Sequence, residues 1–151
     1  MRGNAGTAVK GATVIVATRD EKLARIVEHL NIGPHVTWVH ARTSREVEDH
    51  LVPRDRLPHE VDESHAHVLV MSQDIDVSST GEFIGELLRR RPSLKIIFIA
   101  RHLEPGAEFL VRQQGVYFVT AEPVEPTLLE RVLTKAVEHE TTRLKKTRRF
   151  A

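Results

Sequence analysis

Five short apolar segments rich in β-branched residues recur along the chain, and they alternate with longer segments that show helical periodicity. One of these segments, residues 68–71, is an unbroken apolar run typical of a strand covered on both faces, and the chain turns polar directly after it. We therefore predict that this strand lies at the centre of a parallel sheet. The predicted strands are residues 12–18, 36–40, 68–71, 94–100 and 116–120.

The segments between these strands carry apolar residues three and four positions apart, the spacing of one helix face. Asp20, Thr43 and Ser79 precede the first three segments, where a side-chain oxygen can cap a helix. Pro126 suits the first turn of the last helix. The apolar positions expected to face the core are Leu23, Ile26, Val27, Leu30, Val47, Leu51, Phe83, Ile84, Leu87, Leu88, Ala107, Leu110, Val111, Leu128, Leu129, Val132, Leu133, Ala136 and Val137.

Five strands, each followed by a helix, predict an α/β fold. Right-handed crossovers then give a five-stranded parallel sheet with helices on both faces. We expect one domain over residues 11–138, preceded by a flexible segment over 1–10. Residues 52–66 read as a long loop, and 139–151 as a basic helical extension or linker.

Composition excludes several classes of function. The chain has 151 residues and a formal net charge of +1, so its overall charge favours neither nucleic acid nor membrane. It has no cysteine, which excludes disulfides, thiol catalysis and thiolate metal sites. No apolar run approaches the roughly 20 residues that span a bilayer, and residues 1–10 lack the apolar core of a signal peptide. We expect a cytoplasmic protein.

Polar residues follow the central strand directly. They are Ser72, Gln73, Asp74 and Asp76. In open α/β sheets, ligands bind just outside the carboxyl ends of the strands. We therefore expect any functional site to lie at this edge of the sheet.

Three segments of the chain resemble the receiver domains of bacterial response regulators, of which CheY is the familiar example. They read VIVATRDE at 14–21, GEFIGELLR at 81–89 and EPVEPTLL at 122–129. The resemblance covers about residues 12–138. It implies a flavodoxin-like (βα)5 fold, and in typical receivers it also implies signalling by phosphorylation of an aspartate at the end of the central strand.

The positions that carry this chemistry differ here. The phosphoacceptor aspartate falls on Ser72, and the paired metal-holding acids fall on Thr18 and Arg19. The switch hydroxyl falls on Ala100, and the phosphate-pairing lysine falls on Glu122. Aspartyl-phosphate chemistry requires a carboxylate nucleophile, Mg²⁺ held by carboxylates, and a cation for the developing charge. The four departures predict a pseudo-receiver that does not use phosphate.

A shifted alignment leaves one alternative. Asp74 lies two residues past Ser72 and would share its strand face if the strand continued. Asp20 would then replace the lost acids, and Asp74 or Asp76 would accept phosphate. This alternative is a functional phosphoacceptor receiver of a two-component system.

Other chemistry finds little support. His59, His65 and His67 invite a metal-site interpretation, but no His-Glu-x-x-His motif occurs, and solvated loop histidines are the simpler interpretation. Ser72 lacks the Gly-x-Ser-x-Gly elbow of a hydrolase, and no nucleotide-phosphate loop is present. We expect no enzymatic activity, no metal and no cofactor.

A pseudo-receiver acts by contact with a protein partner or an effector domain. Among such proteins, the chain most resembles the atypical receivers of CpaE/TadZ-type pilus-assembly proteins, which do not use phosphate and precede a ParA/MinD-like ATPase. The basic residues from Arg143 to Arg149 could contact nucleic acid or anionic lipid, but a solvated linker is the favoured interpretation. No nucleic acid partner is expected.

Receivers commonly pair through the fourth helix, fifth strand and fifth helix, which here is about residues 103–138. Both charge signs occur among the expected exposed residues, as a self-complementary two-fold contact requires. We therefore predict a homodimer. Its expected interface residues are Glu104, Glu108, Arg112, Glu130, Arg131 and Lys135.

Overall fold

The structure, a computed structural model, describes residues 11–52, 66–102 and 105–150, and for 147–150 it describes the backbone alone. Within these ranges five strands alternate with five helices. The elements are β1 (Ala12–Ala17), α1 (Glu21–Glu28), β2 (Val36–Ala41), α2 (Ser44–Leu51), β3 (His67–Ser72), α3 (Thr80–Arg90), β4 (Lys95–Ala100), α4 (Pro105–Gln113), β5 (Phe118–Ala121) and α5 (Pro126–Phe150). The predicted α/β order is confirmed.

The strands form a parallel sheet in the order β2-β1-β3-β4-β5, so β3 is the central strand, as predicted. Val70 in β3 pairs with Val16 of β1 and Ile97 of β4, and it is 1% exposed. A strand with neighbours on both edges and helices on both faces has no solvent-exposed side, which explains its continuous apolar sequence.

Successive side chains of β3 enter two separate apolar layers. Val68 and Val70 pack with residues of α1 and α5, whereas Leu69 and Met71 pack with residues of α2, α3 and α4. The two-residue period of a strand divides the sequence between these layers. The sheet therefore has helices on both faces, with its carboxyl edge left open for a site.

The predicted helix starts are confirmed by their caps. Asp20 accepts from the backbone N–H groups of Lys22 and Leu23, and Thr43 and Ser79 each accept one N–H in the same way. Each cap satisfies a donor that the first turn of a helix leaves unpaired. Helix α5 begins at Pro126, as the sequence predicts.

Helix α4 differs from the prediction. Leu110, expected in the core, is 58% exposed, and its neighbour Phe109 is 61% exposed. The described buried residue of this helix is Val111. Ala107, also expected in the core, is exposed as well. The apolar residues from Ala107 to Val111, interrupted by Glu108, cover more of the helix surface than the sheet can bury, so most of them face outward. Ile26 and Leu128, also expected in the core, are partly exposed.

Helix α5 continues past the apolar stripe that ends at Val137. Glu140 and Leu144 lie beyond it, yet they are 1% and 8% exposed. Lys95 Nζ at the start of β4 lies 3.3 Å from Glu140 Oε2. The division of the chain at residue 138 stays a prediction, but the helix itself is continuous there. Among the described residues, no helix combines the length and apolarity needed to cross a membrane.

Candidate functional site at the carboxyl edge of the sheet

The residues singled out by the receiver resemblance all lie at the carboxyl edge of the sheet. Thr18 follows β1, Ser72 ends β3, Ala100 ends β4 and Glu122 follows β5. Parallel strands end on the same side, so these four positions converge there. Thr18, Ser72 and Ala100 are buried, whereas Arg19 is exposed.

Thr18, Ser72 and Asp74 form one hydrogen-bonded cluster. Ser72 Oγ lies 2.9 Å from Thr18 Oγ1 and also donates to Asp74 Oδ1. Thr18 Oγ1 lies 3.2 Å from Asp74 Oδ2 and donates to this carboxylate. Each hydroxyl has a single proton, so both protons are used by donation to the carboxylate. The cluster joins the end of β1 to the loop that follows β3.

Asp74 has a third donor. The backbone N–H of Arg19 lies 3.2 Å from each oxygen of the Asp74 carboxylate. The half-buried carboxylate is thus held by two hydroxyls and one amide from the protein itself. These three donors tie the Asp74 carboxylate to the end of β1 and to the end of β3.

Asp20, the other acid of the phosphoacceptor alternative, is committed to helix α1. Its Oδ1 accepts from Lys22 N–H at 2.9 Å and from Leu23 N–H at 3.3 Å. Its own backbone N–H donates to Thr18 Oγ1 at 3.1 Å. The backbone and side chain of Asp20 therefore both serve the turn between β1 and α1.

A second bridge, centred on Gln73, ties β3 to β4. Its backbone N–H donates to the Ile99 carbonyl at 2.9 Å, and its Oε1 accepts from Arg101 N–H at 2.8 Å. Ala100 supplies a methyl group at this edge, and its carbonyl accepts from Glu122 N–H at 2.8 Å. Backbone and side-chain bonds thus hold the loops around Ala100, where a receiver's hydroxyl switch would lie.

An open cleft of about 510 Å³ lies above these bonds, lined by Arg19, Asp20, Asp74, Arg101 and Glu122. Two guanidinium side chains and three carboxylates share this space. A divalent cation bound there would lie near positive charge, and a phosphoryl group would meet negative charge. Over the described ranges, no three His, Asp or Glu side chains come together as a metal-binding group.

Two contributors to this edge were missed by sequence reasoning. Arg101 follows β4 and lines the cleft, but no motif in the sequence singles it out. His40 on β2 donates through Nε2 to the Thr18 carbonyl at 3.0 Å. A polar residue next to a strand end is a weak indicator of either contact, because the partners are distant in sequence.

Other candidate residues lie elsewhere. Asp76 is exposed and lines a different groove, beside Ser79 and Glu82. His67 begins β3, at the opposite edge of the sheet, and Arg91 Nη2 lies 3.1 Å from its Nδ1. Three further residues, His59, His65 and Glu104, fall outside the described ranges.

The predicted interface residues that the structure describes lie on α4 and α5. Arg112 Nη2 is 2.9 Å from Glu108 Oε1 within α4. Glu130, expected to be exposed, is half-buried, and its Oε1 accepts from Asn31 N–H at 2.8 Å. Arg131 and Lys135 are exposed. The structure therefore leaves the interface untested while showing that two of its acids have partners within the chain.

Comparison with solved structures places this architecture among receiver domains. No protein-family model and no curated protein matches the chain in sequence. The signal receiver domain of an HD domain-containing protein from Pseudomonas fluorescens superposes with a TM-score of 0.69 at 16% identity, covering 87% of this chain and 98% of that one.

Two further similar structures have names that refer to pili. One, from Burkholderia pseudomallei, is named as pilus assembly-related; its TM-score is 0.61 at 20% identity, covering 87% of this chain and 92% of that one. The other, named as the pilus assembly protein CpaE, is from Burkholderia thailandensis; its TM-score is 0.62 at 18% identity, covering 84% and 98%. The chain has the flavodoxin-like fold of response-regulator receiver domains.

Proposed function

We propose that this chain is a pseudo-receiver, a regulatory protein-interaction module of bacterial signal transduction that works without phosphorylation. One observation carries the proposal. The Asp74 carboxylate, the acid nearest the end of β3, is held by the Thr18 and Ser72 hydroxyls and the Arg19 amide. Phosphorylation would have to break this set of bonds before a phosphoryl group could be accommodated.

The rest of the edge supports the same proposal. Ala100 has no hydroxyl to follow a phosphoryl group, and Glu122 brings a negative charge to the cleft in place of a cation. Arg19 brings a positive charge to the side where a receiver holds Mg²⁺. At these three positions the side chains therefore differ in charge or in hydrogen-bonding capacity from those that aspartyl-phosphate chemistry uses in a receiver.

The output of such a module is a contact with a protein. We propose an attached or partner effector, such as a ParA/MinD-like ATPase, because two structures of the same fold bear names from pilus assembly. We also propose a homodimer through α4, β5 and α5. Exposed Phe109 and Leu110 on α4 support this face, because burying them against a second protein would remove apolar surface from water.

One feature favours the second candidate, a phosphoacceptor that uses Asp74 with Asp20. Both acids line the same cleft as Arg101, whose guanidinium would meet the charge of a phosphoryl group there. In this arrangement Glu122 occupies the position of a receiver's phosphate-pairing lysine, and Ala100 occupies the position of its hydroxyl. We therefore rank it second.

Beryllium fluoride with Mg²⁺, which mimics an aspartyl phosphate, tests the first candidate against the second. In an amide NMR titration, we expect no saturable shift of the Arg19, Gln73 or Arg101 resonances. Asp74→Asn is the matched control, since it removes the carboxylate and leaves a similar shape. Saturable shifts in the wild type that vanish in Asp74→Asn would establish the phosphoacceptor instead.

A further inference from the structure

Positive charge is concentrated on helix α5. Pro126–Phe150 contains seven Lys or Arg residues against three Glu, a net charge of +4, whereas the whole chain carries +1. The remainder of the chain is therefore net negative. Past Glu138, no exposed acid remains among the described side chains of this helix, while the cations continue through Lys145 and Lys146.

Several cations elsewhere on the described surface have a carboxylate partner. Arg25, Arg42, Arg89 and Arg112 are each within 4 Å of a carboxylate. By contrast, no ion pair within the described residues involves Lys135, Lys145 or Lys146, and all three are exposed. Cations near the C-terminus of a helix interact favourably with the helix dipole. That effect falls off within the last turn, so it does not account for Lys135 or the full set.

The domain holds this part of the helix in place. Glu140 is 1% exposed and lies 3.3 Å from Lys95 Nζ and 3.1 Å from Arg143 Nη2. Leu144 packs into the apolar layer shared by β1, β3 and α1. The helix then continues six residues past Leu144, which at 1.5 Å per residue is about 9 Å. The surface that carries Lys145 and Lys146 is thus presented by a fixed helix.

We infer that the C-terminal half of α5 is a docking surface for a bilayer that contains anionic lipids. Past Glu138, the described side chains of the helix include cations and no exposed acid, and clustered cations on one helix bind anionic lipid headgroups. The apolar face of α5 is occupied by the core, so the contact is electrostatic, without insertion of the helix into the bilayer.

One observation favours a lipid surface over nucleic acid. The described exposed side chains from Lys135 to Lys146 offer ammonium, imidazole and hydroxyl groups and the single carboxylate of Glu138. They include no Phe, Tyr or Trp ring for stacking and no amide for reading base edges.

Vesicle co-sedimentation tests the inference with the whole chain. The probes are vesicles of phosphatidylcholine alone and vesicles that also contain phosphatidylglycerol. We expect partition into the anionic vesicles only, weakened by added salt. Lys145→Glu with Lys146→Glu should lower the partition coefficient more than about tenfold, since each cation near such a surface contributes severalfold.

The matched control is Lys22→Glu with Arg45→Glu, which changes the net charge by the same amount at exposed positions outside α5. We expect this control to keep at least half of the wild-type partition. Thermal melts identify any variant that has lost its fold. The salt dependence of wild-type binding tests the electrostatic contact without either variant.

Equal losses in the two variants would overturn a site on α5, as would absence of vesicle binding. Binding to a DNA duplex with no binding to anionic vesicles would overturn the lipid assignment in favour of nucleic acid.

Discussion

Asp74 Oδ2 lies 3.2 Å from Thr18 Oγ1, a contact that joins the loop after β3 to the end of β1 across 56 positions of sequence. By the receiver resemblance, the position of Thr18 belongs to a metal-holding acid, which would repel a neighbouring carboxylate. Here a carboxylate meets a hydroxyl. The contact holds the edge of the sheet together without a metal or a phosphoryl group.

The first prediction concerns this contact. Asp74→Ala should lower the free energy of unfolding by about 1–3 kcal/mol, because it leaves the buried Thr18 hydroxyl and the Arg19 amide without their acceptor. Denaturant melts without added metal measure this change. Asp76→Ala, at an exposed position nearby, should stay within about 0.5 kcal/mol of the wild type. Stabilisation by Asp74→Ala would instead indicate a repelling acidic pocket of the kind that binds Mg²⁺.

The second prediction concerns the central strand. Val70→Ala should cost about 1–3 kcal/mol through lost burial and a residual cavity, because Val70 is 1% exposed between two neighbouring strands. Val70→Asp should prevent folding, since the surrounding side chains are apolar and offer no partner for a buried charge. Circular dichroism and thermal melting distinguish these outcomes. An Asp variant that melts like the wild type would contradict the central placement of β3.

The third prediction concerns Glu140. Glu140→Gln should weaken its ion pair with Lys95 and release the following turns of α5. We expect faster amide hydrogen exchange over residues 141–146, equivalent to about 1–2 kcal/mol less protection. Glu138→Gln is the matched control, because Glu138 is exposed on the same helix and has no ion pair within the described residues. Similar exchange in both variants would mean that Glu140 does not anchor the helix.

The fourth prediction concerns self-association. Sedimentation of the wild type at micromolar concentrations should show a dimer of modest affinity. Arg112→Glu with Arg131→Glu should shift it toward monomer, because both substitutions place like charges in the proposed contact. The first of them also disrupts the Arg112–Glu108 pair within α4, so Glu108→Gln serves as a control for that loss. A wild type that stays monomeric throughout would leave this face to a different protein.

The sequence was sufficient to predict five strands alternating with helices, with β3 at the centre of the sheet, because each strand is a compact run rich in β-branched residues. The central run predicted at 68–71 lies within the observed His67–Ser72. The fifth strand begins at Phe118, two residues later than predicted. Val116 and Tyr117 continue the apolar pattern, but strand pairing, which decides the boundary, starts only at Phe118.

The sequence predicts where the site lies in the fold, but it does not predict which side chains of the site form hydrogen bonds with one another. Placing Thr18 and Ser72 at one edge requires only the order of strands and helices. The engagement of Asp74 depends on the path of its loop, and no local pattern fixes that path. The burial of two residues also differs from what the sequence indicates. Helical spacing predicts a buried Leu110, which is exposed. A charged residue beyond the apolar stripe gives no indication of burial, yet Glu140 is buried.

The most direct test of a phosphate-independent receiver is intact-mass spectrometry after incubation with acetyl phosphate and Mg²⁺. We expect no gain of the mass of a phosphoryl group, because Asp74 is held by Thr18, Ser72 and the Arg19 amide. A receiver with a complete acidic site, treated in parallel, shows that the reagent is active. A stoichiometric, acid-stable and base-labile adduct on Asp74 would contradict the pseudo-receiver and establish the phosphoacceptor.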